Sequence, residues 1–312
     1  MRTLLLATTL LIAGAAAGHA QNVAWVDPVN GSGSTCSAAL PCAQLQTALD
    51  IVADASIIYL KGMGPVGVAT LSKSVRIQGS DGAHITGLTI DATGKRIVLK
   101  NVSFDKANTA GWGIRVVAAD SLSVEDASFT NSDGGLEFGP SQGGSLSLKN
   151  VNFADSSSGS GAAIRIVTKG RNVNASLDNV SVFAGVAGLV VDATTGGFMK
   201  VSVRDSTFTN IGGPALHATS AAGYARLYLD NVTSVNNNYG LLVNGAQAIA
   251  WVGSSTIAGN AIGVQRTSSG NVQSYKDNYI FNNTADGTPL PESWTAPQMA
   301  PVTGGVARAD GR

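Results

Sequence analysis

"SLSLKNVNF" (145–153) decides the fold, because two other stretches share its pattern: "RIVLKNVSF" at 96–104 and "SLSVEDASF" at 121–129. Each runs apolar, an intervening residue (Ser123, Ser147 or, once, Val98), apolar, then a charged residue, then Asn or Asp, with Phe three residues further on. Alternation with period two places Leu146 and Leu148 on one side of a strand and Ser147 and Lys149 on the other. The Asn or Asp marks a corner, after which Phe153 returns to the core.

Followed along the chain, the corner residue recurs as Asn101, Asp126, Asn150, Asn179, Asp205, Asn231, Ser254 and Asn278. The intervals are 25, 24, 29, 26, 26, 23 and 24 residues, and Gly79 fits one interval earlier. A second short strand recurs in each interval: "GIRV" at 113, "GLEF" at 135, "AIRI" at 163, "GLVV" at 188, "ALHA" at 215, "GLLV" at 240 and "GVQR" at 263. Self-similarity with a period in the twenties is the mark of a solenoid. Both strands have period two, so each repeat is one turn of a parallel β-coil, not a leucine-rich repeat with its helix.

The rest of the chain sets the context. Arg2 ahead of an apolar run, with small residues before Gln21, reads as a signal peptide over 1–20, too short for a membrane anchor. Setting Arg2 aside leaves 19 basic against 20 acidic side chains and no basic block, so nucleic acid is not an expected partner. No later stretch is apolar enough to insert in a membrane, and a secreted or periplasmic location follows. Cys36 and Cys42 are the only cysteines and read as one disulfide loop in an oxidising compartment. Neither a metal nor a cofactor is called for, and the repeat sets no oligomeric state. The organisation expected is 1–20 signal, 21–54 disulfide loop and cap helix, 55–283 coil, and 284–312 proline-rich tail.

This strand–Asn–strand pattern resembles the right-handed single-stranded parallel β-helix of the pectate-lyase-like superfamily, in its exported bacterial type, over roughly 55–283. "CAQLQTALDIVA" (42–53) resembles the N-terminal capping helix of such proteins. Asn101, Asn179 and Asn231 lie in N-x-S/T sequons. An inward corner residue takes no glycan, so they are read as an internal asparagine ladder.

Residues one period apart stack about 4.8 Å apart, so outward positions can be read as columns. One runs Lys100, Glu125, Lys149, Asp178, Arg204, Asp230, alternating in sign, which predicts a register-fixing charge ladder. The second strand gives Arg115, Glu137, Arg165, Val190, His217, Leu242 and Gln265. Its charges read as a second ladder, or else as a groove where Arg115 and Arg165 hold an acidic sugar while Glu137 or His217 moves a proton. A third column changes from Val98, Ser123, Ser147, Ser176 and Ser202 to Tyr228, Trp251 and Tyr275. The three aromatics, with Asp230 at their edge, are either a stacking platform for sugar rings or a patch covered by the tail through Trp294.

The superfamily's enzymes lead one to look for stacked acids that hold calcium, for N-T-D with D-D and G-H-G, or for paired aspartates with a glutamine-rich segment; the chain has none of them. The reading is an exported β-helix that binds or organises polysaccharide. The alternative is a divergent polysaccharide lyase or hydrolase acting on an acidic polysaccharide.

Overall fold

The computed structural model describes residues 21–80, 82–106, 110–156 and 161–287. Residues 1–20, expected as a signal peptide, and the tail from 288, Trp294 included, lie outside the described residues. Within them, 24 strands join in one sheet whose pairings are parallel, each strand hydrogen-bonded to its counterpart one turn away. The fold is a parallel β-helix.

Each full turn has three faces rather than the two strands per repeat expected. On the marker face, residues 145–149 lie opposite 121–125 on one side and 174–178 on the other. On a short bridging face, Phe153 lies opposite Phe129 and Val182, and the segment is as brief as Ser103–Asp105 or Thr256–Ala258 elsewhere. On the closing face, Gly134–Phe138 lies between 112–116 and Ala162–Val167. Leu146, Leu148 and Phe153 are buried, as the alternation requires.

The corner residue owes its identity to backbone conformation. Asn101, Asp126, Asn150, Asn179, Asp205, Asn231 and Ser254 all have φ between +48° and +53°, the left-handed region that Asn and Asp tolerate better than other non-glycine residues. Their side chains point outward and are exposed, so burial does not rule out a glycan at the three sequons. An asparagine ladder does run along them: Asn150 Nδ2 donates to Asp126 Oδ1 and Asn179 Nδ2 to Asn150 Oδ1, each at 2.9 Å. It is an outer ladder, not an internal one. In the last turn the corner is Lys276, at φ +67°, not Asn278. Asn278 sits beyond it, its Oδ1 accepting from the Ser255 N–H at 2.8 Å.

The coil reaches further than residue 55 at its start. Strand Gln21–Val26 pairs with Val52–Leu60. Between them, helix Leu45–Ile51 buries Leu45, Ala48 and Leu49, and so covers apolar side chains that an open coil end would expose. Cys36 and Cys42 form a buried disulfide. The loop they close is tied to the first strand: the Cys42 N–H donates to the Trp25 carbonyl at 3.0 Å and the Asp27 N–H to the Cys42 carbonyl at 2.8 Å.

Candidate functional site

On the marker face, Ser147, Ser176, Ser202, Tyr228 and Trp251 lie in register on successive turns. Tyr228 and Trp251 stack with ring centroids 4.6 Å apart and planes within 6°, close to the spacing of the turns. Their rings therefore stand across the coil axis. Trp251 covers one face of Tyr228, and the other face looks toward the turn of Ser202. The third aromatic does not join them. Trp251 is followed by Gln273, because the last turn is shorter by two residues than the sequence spacing implies. Tyr275 lies instead beside Gly253, in the charge column. Among the described residues, the rings stacked at the expected column are two, Tyr228 and Trp251.

The neighbouring outward column supplies what the sequence reading missed. Asn174, Lys200 and Arg226 lie in register. Lys200 Nζ is 5.5 Å from the Tyr228 ring centroid, and Arg226 Cζ is 5.4 Å from that of Trp251 and 5.8 Å from that of Tyr224. Phe198 and Tyr224, both exposed, meet at 6.1 Å at the face's edge. Ser145, Asn174, Ser176, Lys200 and Ser202 border an open depression of about 370 Å³. Asp230, expected as a sugar-hydroxyl acceptor, faces Arg204 at 3.8 Å with both side chains well exposed. The signal for Lys200 and Arg226 is present in "FMKVSV" (198–203) and "YARLYL" (224–229), two residues ahead of the serine-to-aromatic column.

Chemically, this surface suits a ring with one apolar face and a hydroxyl rim. The outward rim of the Tyr228–Trp251 stack offers the apolar contact. Ser176, Ser202 and Asn174 offer both donors and acceptors.

The charge ladder forms in part. Lys100 pairs with Glu125 at 3.3 Å and Arg204 with Asp230 at 3.8 Å. Lys149 lies in register between Glu125 and Asp178 without an ion pair to either.

On the closing face, the structure brings three of the four catalytic candidates together. Glu137 receives Arg115 Nε at 3.2 Å and lies 3.9 Å from Arg165 Nη1. Arg165 turns its other nitrogen to Asp192, a residue absent from the column reading, at 2.9 Å. His217 stands three turns from Glu137, beyond Arg165 and Val190, about 14 Å away at the spacing of the turns. A glycosidase needs its two groups across a single bond, closer than that. Among the described residues, no group of three His, Cys, Asp or Glu side chains is placed to hold a metal.

Asp192 and His217 are shifted by their surroundings. Burial works against the Asp192 carboxylate, but hydrogen bonds from the Thr194 hydroxyl, Arg165 and the Thr194 N–H outweigh it and lower its pKa. Burial holds His217 below the usual histidine value of 6.5, partly offset by the charge of Asp192, and its Nε2 is buried without a hydrogen-bond partner. The unfolded chain thus takes up a proton that the folded chain resists. The His217 contribution should therefore reduce stability as pH falls below about 6.5. Replacing His217 with leucine, as at Leu242 on the next turn, removes both the resisted proton and the orphaned nitrogen. The expected result is a melting temperature at least equal to wild type at about pH 7 and a smaller drop on going to about pH 5.5, two values that bracket the ordinary histidine pKa. Thermal melts at the two pH values read both.

No family model matches the chain, and no curated protein matches it. Among solved structures it is similar to pectate lyase Pel9A, with 13% identity over 88% of this chain and 82% of that one and a TM-score of 0.36. The β-helix is established by the strand register of the chain itself.

Proposed function

We propose that the protein binds a carbohydrate chain across the marker face, centred on Tyr228 and Trp251, as an exported β-helix that holds or organises polysaccharide without cleaving it. The observation that carries this reading is the outward Tyr228–Trp251 stack beside a depression bordered by serine, asparagine and lysine. Its ring faces and hydroxyls match the two kinds of surface that a sugar presents. The buried Cys36–Cys42 disulfide supports an oxidising compartment, and with it the secreted or periplasmic location. No helix among the described residues is long and apolar enough to cross a membrane.

The lyase or hydrolase alternative has one observation in its favour, the convergence of Arg115, Glu137 and Arg165. Each of these charges already faces an opposite charge, an arrangement that also serves register.

Trp251→Ala tests the binding reading. Trp251 is half-buried and stacks on a half-buried tyrosine, so its removal is expected to lower stability by about 1 kcal/mol, the worth of one aromatic pair, while glycan affinity on an array of plant and microbial polysaccharides is lost. A loss of several kcal/mol, reproduced by deleting residues 288–312, would show instead that the tail packs on these rings, and would remove the site.

A further inference from the structure

The marker and closing faces place charged residues opposite one another repeatedly, and the signs are opposite every time but one. Lys100 faces Glu125, Lys149 faces Glu125 and Asp178, Arg204 faces Asp178 and Asp230, and Glu137 faces Arg115 and Arg165. Among the described residues, the exception is Lys200 opposite Arg226. Like charges directly opposite on paired strands repel. Among the described residues, neither cation has a carboxylate within ion-pairing distance, and the Asp230 carboxylate faces Arg204 instead. What each does have is an aromatic ring: Tyr228 for Lys200 and Trp251 for Arg226. Ring contacts of this kind orient a cation and leave its remaining donors directed outward.

We propose that Lys200 and Arg226 form a subsite for a carboxylate or sulfate borne on a sugar chain, so that the chain held by this face is an acidic one. This inference rests on the carbohydrate-binding reading above. One anion with two or three oxygens can accept from the Arg226 fork and the Lys200 ammonium together, since the two side chains rise from facing positions on adjacent strands whose backbones lie about 4.8 Å apart. It would cancel the one repulsive rung of the solenoid. The sugar ring that carries it then lies over Ser202, beside the Tyr228–Trp251 stack.

The test compares a carboxylate-bearing polysaccharide, a sulfated one and the carboxyl-reduced, neutral form of the first, using wild type and Lys200→Glu. Wild type is expected to bind at least one acidic chain about tenfold more tightly than the neutral form at low salt, and Lys200→Glu to abolish that preference. The variant should also melt about 1 °C or more above wild type at low salt, because the introduced carboxylate would oppose Arg226 with the right sign. Equal binding of acidic and neutral chains by wild type overturns the anion subsite and leaves the carbohydrate reading standing. If wild type binds no sugar chain, that reading fails. Inorganic sulfate alone then decides the subsite: a rise in wild-type melting temperature that is absent in Lys200→Glu upholds it, and no rise overturns it. Tighter binding of single-stranded DNA or of anionic vesicles than of any sugar chain, lost in Lys200→Glu, overturns the sugar assignment. A Lys200→Glu variant that melts below wild type at low salt overturns the unpaired-cation premise.

Discussion

Replacing Phe129 with alanine is expected to lower stability by about 3–5 kcal/mol. Phe104, Phe129 and Phe153 stack through the coil interior, with centroids 4.6 and 4.5 Å apart and planes within 5° and 9°. All three are at most 1% exposed. Phe129 is the middle ring, so its loss removes two stacking contacts as well as its own burial. The cavity has little means of closing, because the turns on either side are held apart by their parallel ladders. The packing reaches the closing face as well: a side chain added at Gly113 would come within 2.9 Å of Phe129, and one at Gly135 within 2.4 Å of Phe153. Phe208, buried between Val182 and Ser234 of the neighbouring turns, serves as the comparison. Phe208→Ala should cost the burial alone, and Phe129→Ala should exceed it by about 1 kcal/mol or more. Urea unfolding midpoints measure both. A Phe129→Ala loss below about 1 kcal/mol would mean that the turns collapse onto the void.

The three phenylalanines were legible because each stands three residues after its corner residue, and the corners themselves were legible as Asn or Asp at a steady period. Two features of the same repeats were not. The bridging face spans as few as three residues, as in Ser103–Asp105, which is too short for alternation to show. The inward or outward direction of a corner side chain depends on its positive φ, which the spacing does not encode. The candidate site divides in the same way. Tyr228 and Trp251 stand out because one column changes abruptly from serine to aromatic. Tyr275 joins them only if the interval is constant, and the shortened last turn moves it. Lys200 and Arg226 are each unremarkable within their own strands. Only their alignment on adjacent turns, two residues ahead of the serine-to-aromatic column, shows them as a pair of like charges.

Asn260→Leu is expected to destabilise by about 2–5 kcal/mol, while Asn179→Gly should change stability by less than about 1 kcal/mol. Both asparagines hydrogen-bond to another asparagine one turn away, so residue type and spacing do not separate them. Asn179 lies in the outer ladder, exposed, where water replaces its amide contact and glycine adopts its φ of +53° without strain. Asn260 is 1% exposed. Its Oδ1 accepts from the Asn237 N–H at 2.9 Å and from Asn237 Nδ2 at 3.0 Å, and its own Nδ2 donates to the Ser234 carbonyl and to Asn283 Oδ1, both at 3.0 Å. Leucine fills a similar volume but strands the Asn237 N–H and the Ser234 carbonyl inside the coil, each at the desolvation cost of a buried polar group, about 1–3 kcal/mol. The internal ladder anticipated from the sequence thus exists at Asn237, Asn260 and Asn283, one corner further along the turn than the residues it was read from. Hydrogen exchange offers a second readout, since loss of Asn260 should deprotect the turns from about residue 232 onward and leave those around the phenylalanine stack protected. Equal, small effects of the two substitutions would show that water reaches the inner ladder.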